Sequence, residues 1–156
     1  MQVRRVITGH DPSGRAIVSI DDVLTGEERR PGASGAVIWT SEGFPVDNTG
    51  TRDEGQRQVG TTLANGTVFR VLEVSPGNTA RVHRTDSIDY AVVMSGEIDM
   101  ELEQGDSVHL KAGDVLVQRG TIHNWINSGS APCRIAFILI DATPVTVNGK
   151  TLAATG

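Results

Sequence analysis

The stretch from position 82 to 96, VHRTDSIDYAVVMSG, carries the side chains with the clearest chemical potential. His83, Thr85, Asp86 and Asp89 fall within eight residues, and an apolar run to a glycine follows. Imidazole and carboxylate groups this close act either as metal ligands or as a general base with its partner. The stretch therefore predicts either a metal site with a ligand elsewhere or a buried strand with polar residues at its mouth.

The pattern along the chain predicts an all-β domain. Short β-rich runs alternate with turn-forming clusters, and long helical periodicity is absent. The clearest strand is EIDMELE, where apolar and acidic residues alternate, and the following QGD predicts a hairpin into SVHLK. Further strands are predicted at 66–75, 79–84, 89–94, 114–118, 122–126 and 133–141. This spacing is typical of a sandwich or barrel.

The two ends of the chain have a different character. RRVITGHDPSGRAIVSI predicts two strands joined by an Asp-Pro-Ser-Gly turn, and another strand is expected near 36–40. Residues 41–58 are polar and aperiodic, which predicts either a functional lid or a disordered segment. The end of the chain, NGKTLAATG, predicts a turn and a frayed tail.

Two spaced motifs add a resemblance. From Gly77 the chain runs G-x5-H-x-T-x3-D-x6-G to Gly96, and from Gly113 it runs G-x4-Q-x-G-x2-H-x3-N to Asn127. These spacings resemble the paired motifs of the cupin superfamily, G-x5-H-x-H-x3/4-E-x6-G and G-x5-P-x-G-x2-H-x3-N. The resemblance covers residues 66–141. It implies a cupin-type jelly-roll barrel, also called a double-stranded β-helix, with extra N-terminal strands.

The resemblance also suggests how the single domain is organised. Residues 61–145 are expected to form the barrel core, and residues 146–156 a C-terminal tail. Residues 1–60 are expected to be strands and a polar loop packed on the barrel or on a second subunit. Small cupins commonly pair through such N-terminal strands, so the resemblance implies a homodimer.

The departures from the family motifs define the predicted site. Thr85 stands at the place of the second family histidine, Asp89 at that of the glutamate, and Gln118 at that of the proline. The metal ligands carried over by position are His83, Asp89 and His123. Two imidazoles and one carboxylate suit a divalent transition metal, here Fe, Mn, Ni, Co or Zn, and leave positions for water or substrate.

The sequence leaves three functions open. The first is a metal-dependent enzyme on a small organic acid or aromatic metabolite, of the oxygenase, decarboxylase or isomerase/dehydratase type. The second is a non-catalytic module that binds a small molecule in the barrel. The third is a metal-free acid/base enzyme in which His83 and Asp89 are the catalytic residues, because a carboxylate beside an imidazole raises its basicity.

Strand parity extends the predicted site to three substrate-binding residues. Arg81 and Thr85 share the face of His83, and Trp125 shares the face of His123. A cation and an aromatic wall would suit an organic acid or an aromatic substrate. The competing interpretation makes Arg81 a solvated surface residue and Trp125 part of the core.

Composition excludes several partners. The net charge of −5 gives no basic footprint, so no nucleic-acid partner is expected. The sequence shows neither a signal peptide nor an apolar run long enough to span a membrane. Cys133 is the single cysteine and lies in an apolar run, which predicts a buried free thiol. The expectation is a soluble, cytoplasmic protein that binds a small molecule.

Overall fold

The structure, a computed structural model, describes all 156 residues and consists of strands and two short 3-10 helices. None of its helices has the length and apolar character needed to span a membrane. The strands are β1 (Gln2–His10), β2 (Ala16–Thr25), β3 (Glu27–Arg30), β4 (Ala33–Glu42), β5 (Gly66–Val74), β6 (Ser87–Ser95), β7 (Glu97–Glu101), β8 (Ser107–Lys111), β9 (Val115–Arg119), β10 (Asn124–Ile126), β11 (Cys133–Asp141), β12 (Val145–Val147) and β13 (Lys150–Leu152).

Two sheets form the barrel. The larger has the order β3-β4-β5-β11-β6-β9, and the smaller has the order β10-β7-β8. All strand pairs are antiparallel, and one apolar cluster draws residues from both sheets. This arrangement confirms the predicted all-β jelly-roll barrel.

The core results from the alternation of residues in the central strands. In β11 the buried residues are Cys133, Ile135, Phe137 and Leu139, and the residues between them are less buried. A period of two places these four side chains on the inner face, where they meet the inner residues of β5 and β6. Cys133 is the expected buried free thiol.

The predicted strands agree with the structure except before β6. The strand at 133–141 and the β7–β8 hairpin have the predicted positions. The predicted strand at 79–84 is absent and is replaced by two isolated bridges, His83 with His123 and Arg84 with Thr155. The reason is local, because Asn78 turns its side-chain amide to the carbonyl of Trp125 and holds the start of this segment as a loop.

The N-terminal part has two separate roles. Strands β1 and β2 form a hairpin that is a sheet of its own, whereas β4 is an integral strand of the large sheet, beside β5. The polar segment after β4 includes the 3-10 helix Glu54–Gln56. The Thr40 hydroxyl donates a hydrogen bond to the Glu54 carbonyl, so the segment is fastened to β4.

Arg5 joins the hairpin, the polar segment and the large sheet. Its side chain is 1% exposed and forms a bidentate ion pair with Asp22 on β2, in which Nε and Nη2 each lie 2.9 Å from a carboxylate oxygen. A second pair with Asp53 has distances of 2.8 and 2.6 Å, and Nη1 also donates to the Ile38 carbonyl. These bonds lower the pKa of both aspartates. A single guanidinium thus connects four segments of the chain.

The prediction of a frayed C-terminal tail is wrong. Strands β12 and β13 pair as a hairpin, and Thr155 exchanges two backbone hydrogen bonds with Arg84. The Arg81 guanidinium donates to the Gly156 carbonyl at 3.0 Å. The segment is ordered because its backbone groups find partners beside the barrel mouth, which a pattern of small polar residues does not reveal.

We predict that Arg5→Met destabilises the fold by about 2 kcal/mol, because it removes several charge-assisted hydrogen bonds from a buried donor. The matched control is Arg4→Met, whose pair with Asp21 is exposed and adds little. Both variants are compared with the wild type by urea unfolding at pH 7.

The same pair of variants gives a pH test. The paired aspartates have lowered pKa values, so their contribution is complete above the unfolded-state pKa of about 4 and is lost as the pH falls through the folded-state values. The stability difference between wild type and Arg5→Met should therefore shrink in acid. A difference as large for Arg4→Met as for Arg5→Met would contradict the role of Arg5.

Candidate active site

Two backbone hydrogen bonds hold His83 and His123 side by side. Each amide donates to the carbonyl of the other residue, at 3.0 and 2.9 Å. The imidazole rings lie inside the barrel with centroids 4.2 Å apart and planes tilted by 49°. Both residues are buried, with 8% of His83 and 3% of His123 exposed. The structure thus brings together two of the predicted site residues.

Backbone carbonyls set the orientation of both rings. Nδ1 of His83 lies 3.0 Å from the Arg81 carbonyl, and Nδ1 of His123 lies 3.0 Å from the Thr121 carbonyl. A carbonyl only accepts, so each Nδ1 carries the proton and each Nε2 of the neutral ring keeps a free lone pair. The pair therefore offers two unprotonated nitrogens to the barrel interior.

Burial keeps both imidazoles neutral. It lowers the pKa of His83 and lowers the pKa of His123 to about 4. The nearby Arg81 guanidinium acts in the same direction on both rings. At neutral pH both residues are bases.

Asp89 belongs to a separate hydrogen-bonded group on the same wall. Its Oδ1 lies 2.6 Å from the Ser87 hydroxyl, which lies 2.9 Å from the Thr85 hydroxyl. Its Oδ2 accepts from the Gln118 amide at 3.1 Å. Burial raises the pKa of Asp89, while its bond to Ser87 and the charge of Arg70 oppose this shift. All four members of the group are buried.

His83 and Asp89 are not hydrogen-bonded to each other. The alternative prediction of a buried His83–Asp89 pair is therefore not realised. The carboxylate is taken up by Ser87 and Gln118, and the imidazole Nδ1 by a backbone carbonyl. A reaction that involves both the His83 imidazole and the Asp89 carboxylate would therefore engage them at separate positions in the barrel.

The donor set matches only part of the predicted three-ligand metal site. Nowhere in the chain do three His, Cys, Asp or Glu side chains form a group spaced to hold a metal ion. His83 and His123 supply two free Nε2 atoms, but the third expected ligand, Asp89, is turned to Ser87 and Gln118. The structure therefore assembles two of the three predicted ligands.

An aromatic wall continues from the histidine pair. Trp125 stands edge-on to His123, with centroids 6.0 Å apart, and edge-on to Phe137, with centroids 5.6 Å apart. Trp125 is 5% exposed and belongs to the apolar cluster. Its position therefore combines both interpretations made from the sequence, since it packs in the core and also contacts the site.

The other two predicted substrate-binding residues have partners of their own. Thr85 lies on the barrel wall beside Ser87. The Arg81 guanidinium donates to the Gly156 carbonyl, and its backbone amide donates to the Asn124 side chain. The charge of Arg81 acts on the histidines, but the hydrogen bond of its side chain is to the C-terminal segment.

Arg70 is a half-buried cation at an inward-facing position of β5 that sequence reasoning missed. It lies directly opposite Phe137 in the pairing of β5 with β11, with Val68 and Leu72 at the flanking inner positions. Its Nη2 donates to the carbonyls of Gly60 and Thr61, at 2.7 and 2.8 Å. A signal was present in the sequence, because Arg70 interrupts an apolar period of two in β5.

Two cavities open at the polar end of the barrel. A cavity of about 390 Å³ is lined by Met100, Gln118 and Thr121 among others, and a cavity of about 170 Å³ is lined by Thr85 and Ser87 among others. Arg119 and Val145 line both cavities. Neither His83 nor His123 lines either of these two cavities. Strand β12 therefore forms part of the mouth through which a ligand would enter.

Buried amides hold the site in register. Asn127 is 1% exposed, and its side chain donates to the carbonyls of Val74 and Ala131. Its backbone amide donates to the Asn78 side chain, which in turn donates to the Trp125 carbonyl. These bonds tie β10, and with it Trp125, to the end of β5.

Gly120 begins the loop that leads to His123. It has a φ of 59°, and a side chain at this position would meet Val145 at 3.1 Å. Glycine adopts this backbone conformation without strain, and it leaves room for the C-terminal hairpin. The turn thereby brings His123 back towards His83.

Comparison with known proteins places this geometry in a family. Residues 70–140 match the model of the cupin domain. The chain is 40% identical to phomopsin biosynthesis cluster protein C' of Diaporthe leptostromiformis, over 95% of this chain and 83% of that protein. It is 35% identical to the cupin-domain-containing oxidoreductase fogC of Aspergillus ruber, over 96% of this chain and 77% of that protein.

A solved structure supports the same fold. The polyketide cyclase RemF of Streptomyces resistomycificus superposes with a TM-score of 0.53 and is 18% identical, with 78% of this chain and 77% of that chain covered. At this identity the likeness concerns the fold. Taken with the sequence relatives and the double-stranded β-helix, it leads to one conclusion: the chain belongs to the cupin family.

Proposed function

We propose that this cupin is an enzyme that transfers protons on a small organic molecule, an organic acid or aromatic metabolite, bound in the barrel. The observation that carries the proposal is the pair of neutral imidazoles whose Nδ1 atoms are held by backbone carbonyls. Both Nε2 atoms are thereby kept as bases in a buried site. Isomerisation and dehydration are the reaction types that such a pair supports.

The two polar groups of the barrel suit opposite roles. Burial favours the neutral form of each, so it lowers the pKa of the two imidazoles and raises the pKa of the Asp89 carboxyl. Ser87 and Thr85 line the smaller cavity and connect it to the Asp89 carboxyl. A proton can pass along these hydroxyls, with each oxygen accepting one and donating another.

We predict that the protein catalyses deuterium exchange from D2O into carbonyl compounds with an acidic C–H group, measured by mass spectrometry across a panel of small aromatic and aliphatic carbonyls. His83→Ala and His123→Ala should each lower the exchange rate about 100-fold or more, because a positioned base contributes about 10²–10⁴-fold. Asp89→Asn should lower the rate as well. The rate should persist in moderate acid, because the pKa of His123 is about 4.

The matched control is His109→Ala, since His109 is an exposed histidine on β8 paired with Asp99. This variant should exchange at the wild-type rate. Exchange that is lost with chelator and restored by metal would refute metal-free proton transfer. Ligand binding without exchange by the wild type would instead identify a non-catalytic binding module.

A second candidate is metal-dependent chemistry at the same histidines. Two observations favour it: Nδ1–H bonds to backbone carbonyls are the usual support of metal-bound histidines, and the Aspergillus ruber relative is named an oxidoreductase. A divalent transition metal (Fe, Mn, Ni, Co or Zn) would then be held by His83 and His123, with Asp89 as the third ligand. Asp89 would first have to leave Ser87 and Gln118.

This candidate predicts metal in the purified protein. Elemental analysis should find about one Fe, Mn, Ni, Co or Zn per chain in the wild type and none in His123→Ala, while His109→Ala keeps the metal. The same metal should raise the melting temperature of the wild type and leave that of His123→Ala unchanged. A wild type without metal, whose melting temperature no added metal changes, would eliminate this candidate.

We also propose that the protein is a homodimer. Two apolar surfaces support this assembly. One is the outer face of β6 and β9, where Tyr90, Val92, Met94, Val115 and Val117 are 40–73% exposed. The other is the β1–β2 hairpin, where Val6, Val18 and Val23 are 48–58% exposed. A monomer leaves both surfaces in water, and two copies can bury one against the other.

We predict that the wild type sediments at the mass of two chains in analytical ultracentrifugation. Val115→Glu and Val18→Glu should each weaken association about tenfold or more, because a charge is then buried in an apolar contact. The control Val147→Glu changes a valine that is 51% exposed on β12, outside both surfaces, and should leave the dimer intact. A monomeric wild type at micromolar concentration would contradict the dimer.

A further inference from the structure

Arg70 is a half-buried residue of β5 whose charge has no counter-charge. No carboxylate lies within ion-pair distance of its guanidinium, and its protein contacts are the Gly60 and Thr61 carbonyls bound by Nη2. Its Nε is buried and has no hydrogen-bond partner. The acid whose charge acts on it through space is Asp89, and both oxygens of Asp89 are already bound by other side chains.

Such a group is costly unless something else pairs with it. An unmade hydrogen bond from a buried charged donor costs more than one from a neutral donor, and buried charges in proteins are paired. Burial lowers the pKa of Arg70 to about 10, so the guanidinium still carries its charge at neutral pH. An anion that accepts from Nε would complete the hydrogen bonding of this guanidinium.

The position of Arg70 relates this anion to the histidine pair. Arg70 is opposite Phe137 across the strand pair, Phe137 is edge-on to Trp125, and Trp125 is edge-on to His123. The strand pairing and the two edge-on ring contacts thus link the position of Arg70 in β5 to the histidine pair. A flat apolar molecule along these rings would have one end at the cation and the other at the bases.

We propose that Arg70 is the carboxylate-binding residue of the barrel, and that the ligand is a small carboxylic acid with an aromatic or unsaturated body. The proposal rests on the function proposed for the histidine site, to which it adds the charge and orientation of the substrate. Arg70 takes the place that the sequence suggested for Arg81, whose guanidinium is bound to the Gly156 carbonyl. A guanidinium meets a carboxylate with paired N–H donors, which favours this anion.

The test compares two small probes of the same shape, benzoate and the uncharged benzamide, by isothermal titration calorimetry. The wild type should bind benzoate at least about tenfold more tightly than benzamide, as one charge-assisted hydrogen bond requires. Arg70→Gln should bind benzoate about tenfold or more weakly and benzamide unchanged. The benzoate affinity of Arg70→Lys should lie between those of the wild type and Arg70→Gln, because lysine keeps the charge but lacks the paired N–H donors of the guanidinium.

Arg81→Gln is the matched control and should bind benzoate like the wild type. Loss of benzoate binding in Arg81→Gln with retention in Arg70→Gln would overturn the proposal, as would equal binding of both probes by the wild type. If Arg70→Gln fails to fold, the proposal is tested by the benzoate affinity of Arg70→Lys and by the difference between benzoate and benzamide binding in the wild type. The titration measures binding alone and does not depend on deuterium exchange. Failure of proton transfer alone would therefore leave this result unchanged.

Discussion

The site depends on one short backbone contact, the exchange of two hydrogen bonds between His83 and His123. This contact joins the loop before β6 to the loop before β10, which lie far apart in the sequence but at the same end of the barrel. It sets the 4.2 Å separation of the rings, and the carbonyls of Arg81 and Thr121 then set which nitrogen of each ring is free. The reactive atoms are thus positioned by backbone groups of extended segments, which gives them little freedom to rearrange.

The barrel is divided along its length between stability and chemistry. At one end, apolar side chains such as Val74, Ile98 and Ile135 are almost fully buried and fill the space between the sheets. At the other end the inner positions hold imidazoles, a carboxyl and an amide, and the cavities lie there. The buried polar groups of the site contribute less to the free energy of folding than buried apolar side chains do. The ion pairs of Arg5 and the hydrogen bonds of Asn127, which lie outside the site, add stability to the fold.

The sequence was sufficient for the fold and for part of the site. Alternation in β11 and the turn chemistry of the β7–β8 hairpin are local signals, so these elements could be placed. The spacing of the motifs identified the two histidines. The orientation of the Asp89 carboxylate depends on its hydrogen bonds to Ser87 and Gln118, which a motif does not show. Arg70 was missed because a charged residue within a strand is usually assigned to the wet face. The C-terminal hairpin was missed because its order comes from contacts distant in the sequence.

The departures from the family motif are best understood as one coupled change. Thr85, Asp89 and Gln118 each differ from the motif residue. The Ser87 hydroxyl connects Thr85 with Asp89, and the Gln118 amide donates directly to Oδ2 of Asp89. A glutamate at position 89 would extend one methylene further and pass the Ser87 hydroxyl, and a histidine at position 85 would remove the hydroxyl that Ser87 meets. The shorter carboxylate therefore stays on the wall, where its bonds are made by neighbours. Removal of Ser87 or Gln118 leaves one oxygen of the buried Asp89 carboxyl without its partner, so these positions constrain one another.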